Sequence, residues 1–203
     1  MWMKIVTIAR ITILIVVGLL MAKQVVCAHP HVFIDTRMDA QFSDEGLVGI
    51  MVEWKFDVMF GSSLIADYDR DKNGSFDSAE IAQIEKKAFS NLQKYNYFTY
   101  IYVGNRRHDP EKVSDFSAVI SGKTVKYVFF IPYECSFEKM EGDIFIGFFD
   151  KTNYCDFQFN ADKPFSVSAP QDITVVAKIV KTKNGWVRNR SFEELKILLK
   201  KRP

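Results

Sequence analysis

The chain has 203 residues, 27 Lys and Arg against 25 Asp and Glu, and three cysteines. A chain of this length buries one sizeable core, and so even a charge balance gives no electrostatic footprint for nucleic acid. Much of the slight positive excess belongs to Lys4, Arg10 and Lys23 near the start.

Met1 to Ala28 reads as a secretory signal peptide. Lys4 and Arg10 form a positive n-region, Ile11 to Ala22 an apolar stretch, and Val26 and Ala28 suit the third and first positions before a cleavage point. The apolar run is short for a membrane span, which needs about twenty residues. The expectation is an exported, periplasmic protein, residues 29–203, that does not itself span a membrane and forms a single domain.

Cleavage there exposes His29-Pro30-His31. A free amine and two imidazoles suit Ni²⁺, Co²⁺, Cu²⁺ or Zn²⁺. Pro30 has no amide hydrogen to lose, so a square-planar site built on backbone amides is excluded. His29 and His31 remain as candidate ligands, with Asp35 or Asp39 as further donors on the same strand.

Residues 31–42 alternate, with Val32, Ile34, Met38, Ala40 and Phe42 on one face. Ser43 to Gly46 turns the chain, and Val48, Ile50, Val52, Trp54 and Phe56 alternate again. The pattern predicts a hairpin with one apolar face.

A helical insert is expected over about 57–95. Its entering helix covers Asp57 to Tyr68. Its exiting helix covers Ser78 to Lys94, with Ile81, Ile84, Ala88 and Leu92 as the buried stripe. Between them the run from Asp69 to Glu80 matches a twelve-residue calcium loop. Asp69, Asp71 and Asn73 supply oxygens at positions one, three and five, and Ser75 a carbonyl at seven. Asp77 stands at nine and Glu80 at twelve, where its two oxygens close the shell. Gly74 occupies the sharp turn at six, and Phe76 is the apolar anchor at eight. Arg70 and Lys72 dilute the negative charge and no second loop is visible. A structural Ca²⁺ site is therefore expected, with affinity in the range of extracellular modules, roughly 10⁻⁴ to 10⁻³ M.

Beyond Tyr95 the predicted strands are 97–103, 113–120, 124–131, 143–149 and 172–181, with a weaker one near 186–189. Gly104-Asn105, Ser121-Gly122 and Asn184-Gly185 mark turns between them. Cys135 and Cys155 are expected to form a disulfide, worth about 3 kcal/mol on a chain-entropy account, against the alternative of two free, partly buried thiols. Ser191 with Glu194 forms a capping box opening a short C-terminal helix, whose end Lys200-Lys201-Arg202 suits the helix dipole. The predicted fold is α+β and mainly antiparallel β, a sandwich carrying an EF-hand-like helix-loop-helix and a terminal helix.

The opening from His29 to Asp35, the hairpin end Glu53-Trp54-Lys55-Phe56-Asp57, the loop 69–80 and the stretch Leu92 to Thr99 together resemble the bacterial periplasmic family of domain of unknown function 1007. The resemblance covers nearly all of residues 29–203. It implies a periplasmic component of an ABC-type transport system, working beside a nickel/cobalt-type or other membrane metal permease.

Two other classes fit less well. An enzyme would need a catalytic constellation, and no Gly-x-Ser-x-Gly elbow, His-Glu-x-x-His helix or Cys–His pair is present. A protein-interaction β domain of the cell envelope, braced by calcium, would present Phe129, Phe130, Phe145, Phe148 and Phe149 as a binding face. Those rings are more simply explained as core.

Overall fold

The computed structural model describes residues 31–171, 173–182 and 192–201. The expected signal segment, His29, the expected turn at Asn184-Gly185, the weaker strand expected near 186–189 and Ser191 lie outside them. The described chain forms two β-sheets around one apolar core, with a helical insert packed on one of them.

Strands β1 (Val32–Phe42) and β2 (Gly46–Phe56) form the predicted antiparallel hairpin, with Ile34 opposite Phe56 and Ala40 opposite Ile50. The apolar face of β1 is buried as its alternation requires. In β2 the alternation fails at one place. A register shift between Leu47 and Gly49 buries Leu47 and leaves Val48 exposed.

The insert follows. Helix α1 (Val58–Tyr68) and helix α2 (Ser78–Ile84) flank the acidic loop. The predicted continuous exit helix stops early. A π-helical turn at Glu85–Phe89 and a 3₁₀ stretch to Phe98 replace it, and Asn96, Tyr97 and Phe98 all take φ near +50°. The π-turn moves the buried position from Ala88 to Phe89, which enters an aromatic cluster with Phe116, Tyr127 and Phe129. The left-handed residues also delay the next strand, which starts at Thr99 and not Tyr97.

The later strands are β3 (Thr99–Val103), β4 (Arg106–His108), β5 (Ser114–Ser121), β6 (Thr124–Ser136) and β7 (Ile144–Phe148). They are followed by β8 (Cys155–Phe159), β9 (Phe165–Ser168), β10 (Ile173–Thr182) and β11 (Phe192–Lys201). One sheet runs β5-β6-β2-β1-β8, with β9 continuing along the outer edge of β1; the other runs β10-β11-β7-β3-β4. Both β8 and β9 pair with β1 in parallel, so the first sheet is mixed. Trp54 joins the sheets: it is 1% exposed, meets Phe129 edge-on at 4.8 Å and Phe148 of the second sheet at 5.9 Å.

Two expectations are corrected. The C-terminal segment is a strand and not a helix. Leu195 and Ile197 alternate into the core as β11 fills the gap between β10 and β7, so sheet pairing overrides the helical propensity of the segment. Glu194, expected to close a capping box, is instead fully buried on the opposite face of β11. The disulfide is absent as well: Cys135 and Cys155 are free thiols. Cys135 sits opposite Leu47, which pairs with Phe42 at one end of β1, while Cys155 pairs with Val32 at the other. Ten residues of strand separate those ends, about 33 Å, far beyond disulfide reach.

Candidate metal centre

The acidic loop is built from both ends. Asp57 caps α1, its Oδ1 accepting the Phe60 amide at 2.9 Å. Its Oδ2 accepts the Phe33 amide of β1, also at 2.9 Å, so one carboxylate fixes the helix start to the sheet. Gly61 lets α1 lie against β6; a Cβ there would stand 2.7 Å from Cα of Thr124. Where α1 ends, the Asp69 amide still bonds to the Ile65 carbonyl, and the chain enters the loop.

Asp69 organises the first half of the loop. Its two oxygens accept the amides of Asn73 and Gly74, each at 3.1 Å. Asp71 Oδ1 accepts the same Asn73 amide, while Asn73 Oδ1 takes the Ser75 amide at 2.8 Å and its hydroxyl at 2.7 Å. These short-range bonds need left-handed backbone at Lys72 (φ +59°) and Gly74 (φ +81°). A Cβ on Gly74 would touch nothing within 4 Å, so glycine serves there for its backbone freedom alone.

The second half closes on α2. Asp77 accepts the Glu80 amide at 2.8 Å, and Glu80 Oε2 accepts the Asp77 amide at 3.0 Å, a reciprocal capping box. Glu80 Oε1 accepts the Arg70 amide at 2.8 Å, tying the end of the loop to its beginning. Phe76 packs against the core beneath.

Three predicted residues converge. One carboxylate oxygen from each of Asp69, Asp71 and Glu80 lies within 4.8 Å of the others. Asp69 and Glu80 are each only 7% exposed, whereas Asp71 faces solvent. No ion pair among the described residues reaches any of the three. At such separations each like-charge pair repels by on the order of 3 kcal/mol with an effective dielectric near 20, a repulsion that a bound cation reverses. Asp77 is not in the convergent group: its carboxylate caps α2, a placement that suits contact through water at the ninth position. Asn73 and Ser75 are held within the loop, Asn73 Nδ2 donating to Asp71 at 2.7 Å.

The histidine end is a separate place. α1 has eleven residues, so about 17 Å of helix separates the Asp57 clamp beside β1 from Asp69. His31 stands just before β1, its amide and that of Val32 both donating to the Tyr154 carbonyl at 2.9 and 3.1 Å. The Tyr154 ring lies 5.1 Å from the His31 ring. Asp35 and Asp39, considered as extra donors, both accept hydrogen bonds from the chain that flanks β1. Asp35 accepts from Asn160 at 2.8 Å, and Asp39 accepts from Ser166 at 2.6 Å and from Ser168.

The turn holding Tyr154 centres on Asp150, which is only 3% exposed. Its carboxylate accepts the amides of Thr152, Tyr154 and Cys155 at 2.8, 3.0 and 2.9 Å and the Thr152 hydroxyl. Burial, with Asp150 adding to it, pushes the Cys155 thiol up to about 12. Sequence reasoning passed over Asp57 as a clamp and Asp150 as a turn centre. An Asp before a helical run signals the first, and Asp-x-Thr the second; Tyr154 leaves no signal of its own.

Residues 13–183 match the family described as protein of unknown function DUF1007. The chain belongs to that family. Within the DUF1007 match, all six loop positions and His31 are included. A Spirochaeta aurantia protein called "Uncharacterized 15.5 kDa protein in trpE 3'region" is 29% identical over 104 residues, 51% of this chain and 74% of its own length. An "Uncharacterized protein" of Haemophilus influenzae is 24% identical over 147 residues, 71% of this chain and 69% of its own.

Proposed function

We propose that this DUF1007 chain is an exported, periplasmic metal-binding accessory protein whose EF-hand-like loop, Asp69 to Glu80, holds Ca²⁺. One observation carries the reading: three carboxylates from the two ends of one loop come within 4.8 Å of each other, two of them buried, around a left-handed glycine. Asp69, Asp71 and Glu80 would supply the charged oxygens. Asn73, the Ser75 carbonyl and Asp77 complete the hard-oxygen set that Ca²⁺ requires. The ion's role is structural, since it would neutralise repelling carboxylates that already join α1 to α2.

His29 and His31 are proposed to capture Ni²⁺, Co²⁺, Cu²⁺ or Zn²⁺ and exchange it with a membrane metal permease or ABC-type transporter. Support for this second site is the donor chemistry of the predicted N-terminus together with the fixed placement of His31. No helix among the described residues is long and apolar enough to cross a membrane, which suits a partner that supplies the membrane part.

Calorimetric titration of chelator-treated protein with CaCl₂ tests the first claim. One site in the range of roughly 10⁻⁴ to 10⁻³ M, abolished by Glu80→Gln, is expected. Absence of saturable heat at millimolar Ca²⁺ would sink it.

A further inference from the structure

We infer that the outer edge of β10 pairs with the β10 of a second copy of this chain, antiparallel and centred on Val176, so that the second sheet continues through a homodimer.

Strands β10 and β11 form a long ribbon, from Ile173 opposite Lys201 to Thr182 opposite Phe192. Only Glu194 to Ile197 of that ribbon is paired on its far side, with Ile144 to Gly147 of β7. The half made of Ile173 to Val176 and Leu198 to Lys201 therefore has two strands, and a two-stranded ribbon is marginal in water without a third. Among the described residues β10 is the last strand of its sheet. Its core-side row, Ile173, Val175, Ala177 and Ile179, is only partly buried, whereas Leu195 and Ile197 beside it are wholly covered.

The other sheet edges carry features that oppose pairing, and β10 does not. Strand β5 is irregular between Ser114 and Ser117, with Asp115 at φ +53°. Strand β4 has three residues, and β8 and β9 have five and four. Strand β10 runs for ten residues without proline, glycine or a register shift.

Charge and side-chain size select both the partner and the register. Residues directly opposite share a face, so the two core faces align only when the two-fold axis falls on a residue. An axis on Lys178 would set two ammonium groups together, and one on Ala177 would set Lys181 against Ile173. An axis on Val176 opposes Val175 to Ala177, Ile173 to Ile179 and Thr174 to Lys178, with no like charges facing. It covers Val176, 40% exposed in the single chain, with its own copy. It also lays the third strand along the half-ribbon that lacks one.

The test is the solution mass of the exported, processed protein, with Val176→Cys and Lys178→Cys as oxidative cross-linking probes. Wild type is expected at twice the mass of one chain. The two Cα atoms at position 176 would stand about 5 Å apart, within disulfide reach, and the two at 178 roughly 14 Å apart. Val176→Cys should therefore cross-link above the wild-type background and Lys178→Cys should not, while Val176→Lys should leave a folded monomer. A wild type that stays monomeric at millimolar concentration overturns the inference. So does a dimer that Val176→Lys leaves intact, or one that cross-links at 178 in place of 176. A purified monomer that cross-links through position 176 to a different envelope polypeptide would give the edge to that partner and remove self-pairing.

Discussion

The Glu80 carboxylate reaches back ten residues to accept the Arg70 amide at 2.8 Å, while its other oxygen accepts from Asp77. One side chain thus closes the acidic loop before any ion is present. Its charge opposes Asp69 and Asp71, and its hydrogen bonds hold it there regardless.

Glu80→Gln should therefore separate the two effects. Without calcium the two effects oppose each other: one repelling charge is gone, but the Gln amide nitrogen cannot accept the second of the Arg70 and Asp77 amides, so only a small change in melting temperature is expected. With calcium at a hundredfold excess over Kd, wild type gains about 2.7 kcal/mol, a rise of roughly 5–11 °C for a chain of this size. The variant should show no such rise in differential scanning fluorimetry.

Asp57→Ala removes a helix cap and the tie to Phe33 at once. A loss of about 2 kcal/mol is expected in urea unfolding. Asp57→Asn keeps the capping oxygen but loses the acceptor for the Phe33 amide, so its cost should fall between those of wild type and Asp57→Ala, lower than the latter by about the 1 kcal/mol of a helix cap. Equal stability of all three proteins would show that the clamp contributes nothing.

Two glycines should fail for different reasons. Gly74→Ala meets no neighbour, so its cost of about 1 kcal/mol comes from left-handed backbone and falls on the calcium-binding geometry. Gly61→Ala drives a methyl to 2.7 Å from Thr124 and should cost about 1–3 kcal/mol with or without calcium. Calcium titrations paired with melting curves distinguish the two.

The thiols give a pH prediction. The Cys155 thiol is held at about 12 by burial and by Asp150, above the ordinary unfolded value near 8.5. The folded state thus favours the protonated form, and that contribution is complete below about pH 8.5. It declines as pH rises from there toward 12. Iodoacetamide at pH 8 should label Cys155 slowly in native protein and quickly in urea. Dithiothreitol should leave the melting temperature unchanged, because no Cys135–Cys155 bridge exists to reduce.

The hairpin and the loop were legible because each is encoded locally. Alternation over eleven residues specifies β1, and six oxygen-bearing positions around Gly74 specify the turn that brings Asp69, Asp71 and Glu80 together. What escaped was decided by distant partners. Phe192 to Lys201 has the composition and cap of a helix, yet pairing with Ile173–Thr182 along its whole length on one side and with Ile144–Gly147 on the other makes it a strand. Cys155 to Phe159 alternates too briefly to stand alone and gains its identity from the edge of β1. The π-turn is set by the aromatic cluster that receives Phe89, and no spacing within the helix announces it. The contact between His31 and the Tyr154 ring was not legible, since Tyr154 is 123 positions away from His31.

The parallel attachment of β8 and β9 to β1 has a bearing on how the molecule is made. The first strand of the described chain must wait for residues 155–168 before its outer edge is covered. Closure over such a sequence separation is slow, whereas the helical insert can assemble from neighbours alone. During synthesis, β1 is an uncovered edge for most of the chain's emergence, open to strands from other molecules. Truncation just before residue 155 should therefore yield a product prone to aggregate, even though the acidic loop and the hairpin are both intact within it.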